Sequence, residues 1–205
     1  MPALTLATLM SEATAAVGAR SDLAASTVSL YANIAQLEIA AMVPHTELLT
    51  TQTLVLGAGS NATTLPADLG EVVDVSRPNS YDSFGHRLLT PVPLREIDEA
   101  SEGTTQGVAT RYAVSANSIL FYPTSASHDT FTLRYVKVPA DMSALTSQPS
   151  LHTRYHPALL YKLCENLADR VLDTERAAYY RNKVISVLGT VPTPAEALVR
   201  NERPR

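Results

Sequence analysis

Five histidines are the first candidates for metal or acid–base chemistry, and only His152 and His156 stand close together. At positions i and i+4 of one continuous helix, their imidazoles would share a face and could hold a metal ion. Pro157 follows at once, however, and proline belongs in the first turn of a helix. The pair is therefore predicted to sit at a solvated helix start, without a metal, and its spacing does not form HExxH. No serine lies in a GxSxG elbow, and Ser11, Ser29 and Ser186 show no turn that would expose a nucleophile. Glu96, Asp98 and Glu99 form the densest carboxylate cluster, on one short polar segment that reads as a solvated charge run. Gly57-Ala58-Gly59 before Ser60-Asn61 lacks the third glycine, the lysine and the following helix of a nucleotide loop, and reads as a turn. Cys164 is the single cysteine and lies between Leu163 and Leu167, where a thiol acts as a small hydrophobe. No catalytic residue, cofactor site or metal site is expected from these patterns, and the chain is read as a non-enzyme.

Composition narrows the function classes further. The 205 residues carry 16 Lys+Arg against 20 Asp+Glu, a net charge of -4 with no basic run. A generic nucleic-acid binder needs a basic face to displace counterions from phosphate, so binding DNA by bulk charge is excluded. One cysteine forms no internal disulfide, and no stretch reaches about 18 apolar residues, so no membrane span is expected. Residues 1–19 lack a basic leader and read as neither signal peptide nor span.

The elements that must position any site follow from periodicity. Leu6, Leu9, Met10, Ala13, Ala16 and Val17 mark one helical stripe, with Gly18 at its end. A second helix, capped at Ser26 or Thr27, carries Leu30, Tyr31, Ile34, Leu37 and Ile39 and stops before Pro44. Strands are predicted at 53–56, 71–75, 87–92, 111–115, 118–122 and 129–138, with Ala116-Asn117 turning a hairpin. Residues 93–98 suit one helical turn and 100–107 a mobile loop. After a Ser/Thr-rich linker at 143–150, Pro157 opens a helix with the stripe Leu160, Leu163, Cys164, Leu167 and Val171. A last helix runs from about Thr174 and stops at Gly189.

The expected fold class is therefore α+β. An antiparallel helix bundle is built from N- and C-terminal helix pairs, with an inserted small antiparallel β module and an extended C-terminal arm. The boundaries read 1–50, 51–139, 140–189 and 190–205. The arm holds Pro192, Pro194, Leu198, Val199, Arg200, Arg203 and Arg205, an apolar knot beside basic residues with no core of its own, which suits a docking tail. Tyrosine is the commonest aromatic, 9 against 3 Phe and no Trp. Tyr155, Tyr161, Tyr179 and Tyr180 fall in the C-terminal helices, and amphipathic rings suit either a subunit interface or the finish of a core.

In order and spacing, several segments together resemble a known family. They are the helix through Ala32-Asn33-Ile34-Ala35-Gln36-Leu37-Glu38-Ile39, Leu65-Pro66-Ala67-Asp68-Leu69 before a strand, and Thr110-Arg111-Tyr112. Ile119-Leu120-Phe121-Tyr122-Pro123, Phe131-Thr132-Leu133-Arg134-Tyr135 and Tyr155-His156-Pro157-Ala158-Leu159 continue the series. The chain resembles the head-to-tail adaptor, or connector, proteins of tailed bacteriophages. That resemblance implies a dodecameric ring in the virion neck, assembled in the bacterial host cytoplasm. It also implies a C-terminal arm docked on the portal protein, a face for the next tail or neck component, and a channel through which double-stranded DNA passes without specific binding. The runner-up is a tail-associated peptidoglycan-cleaving glycosidase, which needs two carboxylates about 5–10 Å apart across a cleft. Glu38 and Glu165 are the pair to inspect. A sugar- or peptide-binding β module ranks last, because it needs an aromatic-lined concavity and Phe and Trp are scarce.

Overall fold

The computed structural model describes residues 4–18, 23–78, 86–101 and 105–190. In chain order they form α1 (Leu6–Ala16), α2 (Ala25–Met42), β1 (Leu49–Leu56), β2 (Ala62–Thr64), β3 (Leu69–Pro78), β4 (His86–Leu88), β5 (Thr90–Pro91) and α3 (Leu94–Ser101). There follow β6 (Gln106–Gly107), β7 (Arg111–Ser115), β8 (Ser118–Tyr122), β9 (Thr124–Ser125), β10 (Asp129–Lys137), α4 (His156–Arg170) and α5 (Thr174–Thr190). The chain divides into two compact units, one built from the residues before Leu49 and after Lys137, the other from Leu49–Lys137.

In the helical unit, Thr5 caps α1 by accepting from the Thr8 N–H at 3.3 Å. Leu6, Leu9 and Ala13 then face inward. The helix α2 is entered at Ala24, with no side-chain cap, rather than at Ser26 or Thr27. It ends at Met42, because Pro44 disfavours helical backbone in the residue before it. Buried Ala32 and Ala35 on α2 join Leu159, Leu163, Cys164 and Leu167 of α4 in one apolar core. Gly189 does not stop α5, which continues to Thr190. A Cβ at Gly189 would meet nothing within 4 Å, so no turn requires the glycine there.

The segment returning to this unit is held by α2 rather than left as a free linker. Gln36, with no exposed surface, donates from Nε2 to the Ala140 carbonyl and accepts the Ser150 N–H at Oε1, both at 2.9 Å. Asn33 Oδ1 accepts the Met142 N–H at 2.9 Å, which drops the Met142 side chain into the helical core. Two amide side chains thus replace the backbone partners that an irregular segment lacks.

The other unit corrects the expected architecture. A helix bundle carrying a small antiparallel module does not describe the chain: its described residues form an α+β fold with five helices and three sheets. One sheet has the order β1-β10-β3-β4, a second β2-β8-β7-β5, and β6 pairs with β9 alone. Nor is the pairing purely antiparallel, since β5 runs parallel to β7 and β6 parallel to β9. Phe131, Leu133, Leu54 and Val75 from the first sheet and Phe121, Ile119 and Tyr112 from the second share one core. Phe121 and Phe131 stack there with centroids 4.4 Å apart. The single extended segment expected at 87–92 is split between the two large sheets as β4 and β5. The expected helical turn at 93–98 is a two-turn helix reaching Ser101, inside part of the span read as a loop. Strands of two or three residues are too short to display an alternating pattern, which is why the module looked small.

Candidate functional site

The helix faces that meet across α2, α4 and α5 bring together a set of charges far apart in sequence. Lys162 on α4 places Nζ 3.2 Å from Glu165 Oε2 and 3.7 Å from Glu38 Oε1. Arg181 on α5 donates from Nε to Glu165 Oε1 at 2.8 Å, and Asn166 Nδ2 donates to Glu38 Oε2 at 2.6 Å. The i, i+3 step from Lys162 to Glu165 puts both on one face of α4. Glu165 is only 4% exposed, so its charge is held by two cations rather than by water. The same contact raises the Arg181 pKa, chiefly through its hydrogen bond to Glu165.

This cluster contains the pair singled out for glycoside cleavage. Such chemistry needs room for a sugar between an acid and a second carboxylate. Between Glu38 and Glu165 the space is occupied by the Lys162 ammonium, and all four carboxylate oxygens have a partner. The arrangement neutralises two carboxylates and ties three helices; it does not set one acid against one base.

The remaining sequence candidates are dispersed. His152 Nδ1 accepts from the Arg154 N–H at 3.3 Å, and the His156 ring bonds the Leu151 carbonyl at 3.1 Å, so each imidazole is engaged with backbone at the start of α4. Burial lowers the His156 pKa. Among the described residues no three His, Cys, Asp or Glu side chains converge as a metal site. Glu96 pairs with Arg111 at 2.8 Å and Glu99 with Arg95 at 2.6 Å, both on the exposed side of α3. Gly59 takes a φ of 73° in the turn after β1, a conformation that favours glycine. Ser11 and Ser186 are exposed on helices and Ser29 is half-buried on another.

The four tyrosines separate. Tyr155 is 2% exposed, buried within its own unit with the Arg154 guanidinium 5.0 Å from its ring centre. Tyr161 and Tyr180 stack at 6.3 Å, Tyr179 meets Tyr180 edge-on at 5.2 Å, and Lys183 sits over Tyr179. Burial raises the Tyr180 pKa, and Tyr179 stands 55% exposed. Pro192, Pro194, Leu198, Val199, Arg200, Arg203 and Arg205 lie outside the described residues.

With no substrate-shaped constellation in these positions, comparison with known proteins carries the identification. The SU10 adaptor protein family matches residues 4–202, nearly the whole chain. The chain belongs to the SU10 adaptor protein family. This is a family of phage adaptor proteins, which makes the chain a virion component that contacts other phage proteins. No curated protein matches it. Among the described residues no helix is long and apolar enough to cross a membrane.

An adaptor works through its surface, and the described surface of this family member is apolar at Leu30 and Leu37, which the stripe expected for the second helix had turned inward. The outer side of α2 exposes Leu30 and Leu37, spaced i, i+7 on one stripe, although the opposite side of the same helix is core. Helix α5 exposes Tyr179 and Ile185. A helix apolar on two faces is expected to be covered on both. The sequence signal was present in α2, whose apolar residues occur all round, but it reads equally as a fully buried helix.

Proposed function

We propose that this chain is a structural head-to-tail adaptor. It forms a ring, a dodecamer by family resemblance, that docks below the portal protein and continues the DNA channel towards the next tail or neck component. The observation that carries this reading is the family match over residues 4–202. The exposed apolar positions on α2 and α5 support it, because they supply two different faces for head-to-tail packing between copies. Tyr161, Tyr179 and Tyr180 belong to that subunit interface. The net charge of -4 suits a channel that lets DNA slide rather than holding it.

In the same reading, residues 191–205 dock on the portal through Leu198, Val199 and the neighbouring arginines. A short segment suffices because a ring repeats each weak contact at high effective concentration. Native mass spectrometry of the full chain, alone and with portal rings, tests this. Twelve copies should join one portal ring, and removing residues 191–205 should abolish joining while leaving the thermal melt unchanged. A full chain that ignores the portal, or a truncation that unfolds, would overturn the docking assignment.

A further inference from the structure

The turn between α4 and α5 holds the most exposed large apolar side chain of the described residues. Leu172 is 86% exposed. Its backbone lies in the left-handed region, φ 60°, which a branched side chain adopts only at a cost. The turn itself is well made: the Asp173 N–H reaches the Ala168 carbonyl at 3.0 Å and the Leu172 N–H the Asp169 carbonyl at 3.1 Å. This paired pattern ordinarily places glycine at the position Leu172 occupies. Asp173 then accepts the Arg176 N–H at 3.0 Å, so the next helix starts without slack. A leucine here is unfavourable for the turn and unfavourable for the exposed surface. Nothing within its own helical hairpin explains its being a leucine.

The same unit carries a complement. An open groove of about 420 Å³ runs between α1 and the start of α2, walled by Met10, Thr14, Ala15, Leu23, Ala25 and Val28. Its lining is mainly apolar, and Leu172 is not among its residues. Leu172 and the groove are thus separate features of one unit, a projection and a recess. When the projection of one copy enters the recess of the next in a heterologous contact, the contact propagates from copy to copy and closes if the rotation allows.

We propose that Leu172 of one copy seats in the α1–α2 groove of the next and anchors the contact between neighbouring subunits. This inference rests on the ring reading above and names the surfaces through which copies meet. Leu172 is an anchor, and the stretches around it complete the interface area. The hydrogen-bonded turn presents the Leu172 backbone already ordered, which removes part of the entropic cost of docking.

The test uses the full chain with L172G and L172N, both of which fit the left-handed backbone, and with A15R, which fills the groove from an exposed helix position. Each variant should melt at or above the wild-type temperature or, for A15R, close to it. Each should also self-associate tenfold to hundredfold more weakly per contact in sedimentation velocity, the loss expected for one buried leucine. Mixing separately made L172C and A15C chains should give a disulfide between two copies under mild oxidation. If the wild type assembles on the portal but L172G and L172N assemble equally well, this contact is wrong and the ring reading stands. If the wild type forms no assembly, alone at up to about 1 mM or on the portal, both fall together.

Discussion

Replacing Lys162 with methionine tests whether the charge cluster among α2, α4 and α5 is structural. The substitution keeps the length of the side chain and removes the ammonium that lies 3.2 Å from Glu165 and 3.7 Å from Glu38. Glu38 is partly exposed and recovers water, but the Glu165 side chain is 5% exposed and does not. Its remaining cation, Arg181, is 57% exposed and partly screened. Breaking a buried pair by removing one partner costs about 3–5 kcal/mol, and the surviving Arg181 contact places K162M near the lower end, about 3 kcal/mol. For a chain of this length that is a fall of roughly 6–12 °C in Tm. Adding E165M removes the stranded charge, so the double variant should return to within about 1 kcal/mol of wild type. Urea denaturation followed by helical circular dichroism supplies the double-mutant cycle. A K162M cost below about 1 kcal/mol, or a double variant as unstable as the sum of the singles, would refute the reasoning.

Other expectations are more local. Q36L strands the Ala140 carbonyl and the Ser150 N–H and should lower stability by about 1–3 kcal/mol, with hydrogen exchange rising first in residues 140–150. T5A removes the α1 cap and should cost about 1 kcal/mol by the same urea assay. Burial pushes the Cys164 thiol up to about 12, so thiol reagents at pH 8 should label it only after unfolding; rapid labelling of the folded chain would contradict its placement. Burial, helped by the hydrogen bond to Asp68, likewise lifts Tyr135 to about 12. Both groups are neutral when folded, and their folded pKa values lie above the unfolded ones. Their contribution is therefore complete below about pH 9 and is lost as pH rises towards 12, so a pH series of urea midpoints should fall across that window.

What the sequence made legible was whatever repeats within one element. The stripes Leu6–Leu9–Ala13 and Leu163–Cys164–Leu167 and the alternation Phe131–Leu133–Tyr135 all face cores, because burial of one face is a local rule. The size of the β unit was not legible, since β5, β6 and β9 have two residues each and find their partners only through parallel pairings formed in space. The polar residues of α2 were opaque for a related reason. Gln36 looks like a surface glutamine until residues 140 and 150 arrive beside it, and the pairing of Glu38 with Glu165 suggests a cleft until Lys162 and Asn166 fill it. Leu172 is invisible in the sequence, because an isolated leucine between two helices signals nothing without its backbone angle.

The pairing of β1 with β10 bears on how the whole chain reaches its native state. The strand that leaves the helical unit and the strand that returns to it are partners from the first residue, Leu49 opposite Val136. Until that ladder forms, α2 and α4 are separated by about 113 residues, 43–155, whose closure opposes their meeting. Once it forms, the two ends emerge side by side and the effective loop shrinks to about 25 residues, 43–48 and 138–155, a gain of roughly 1 kcal/mol in closure entropy. The β unit thus acts as a clasp on the two ends of the helical unit. It also makes the clasp exchangeable: any insert whose terminal strands pair would return the chain to the same place, leaving the helical unit free to receive a different β unit.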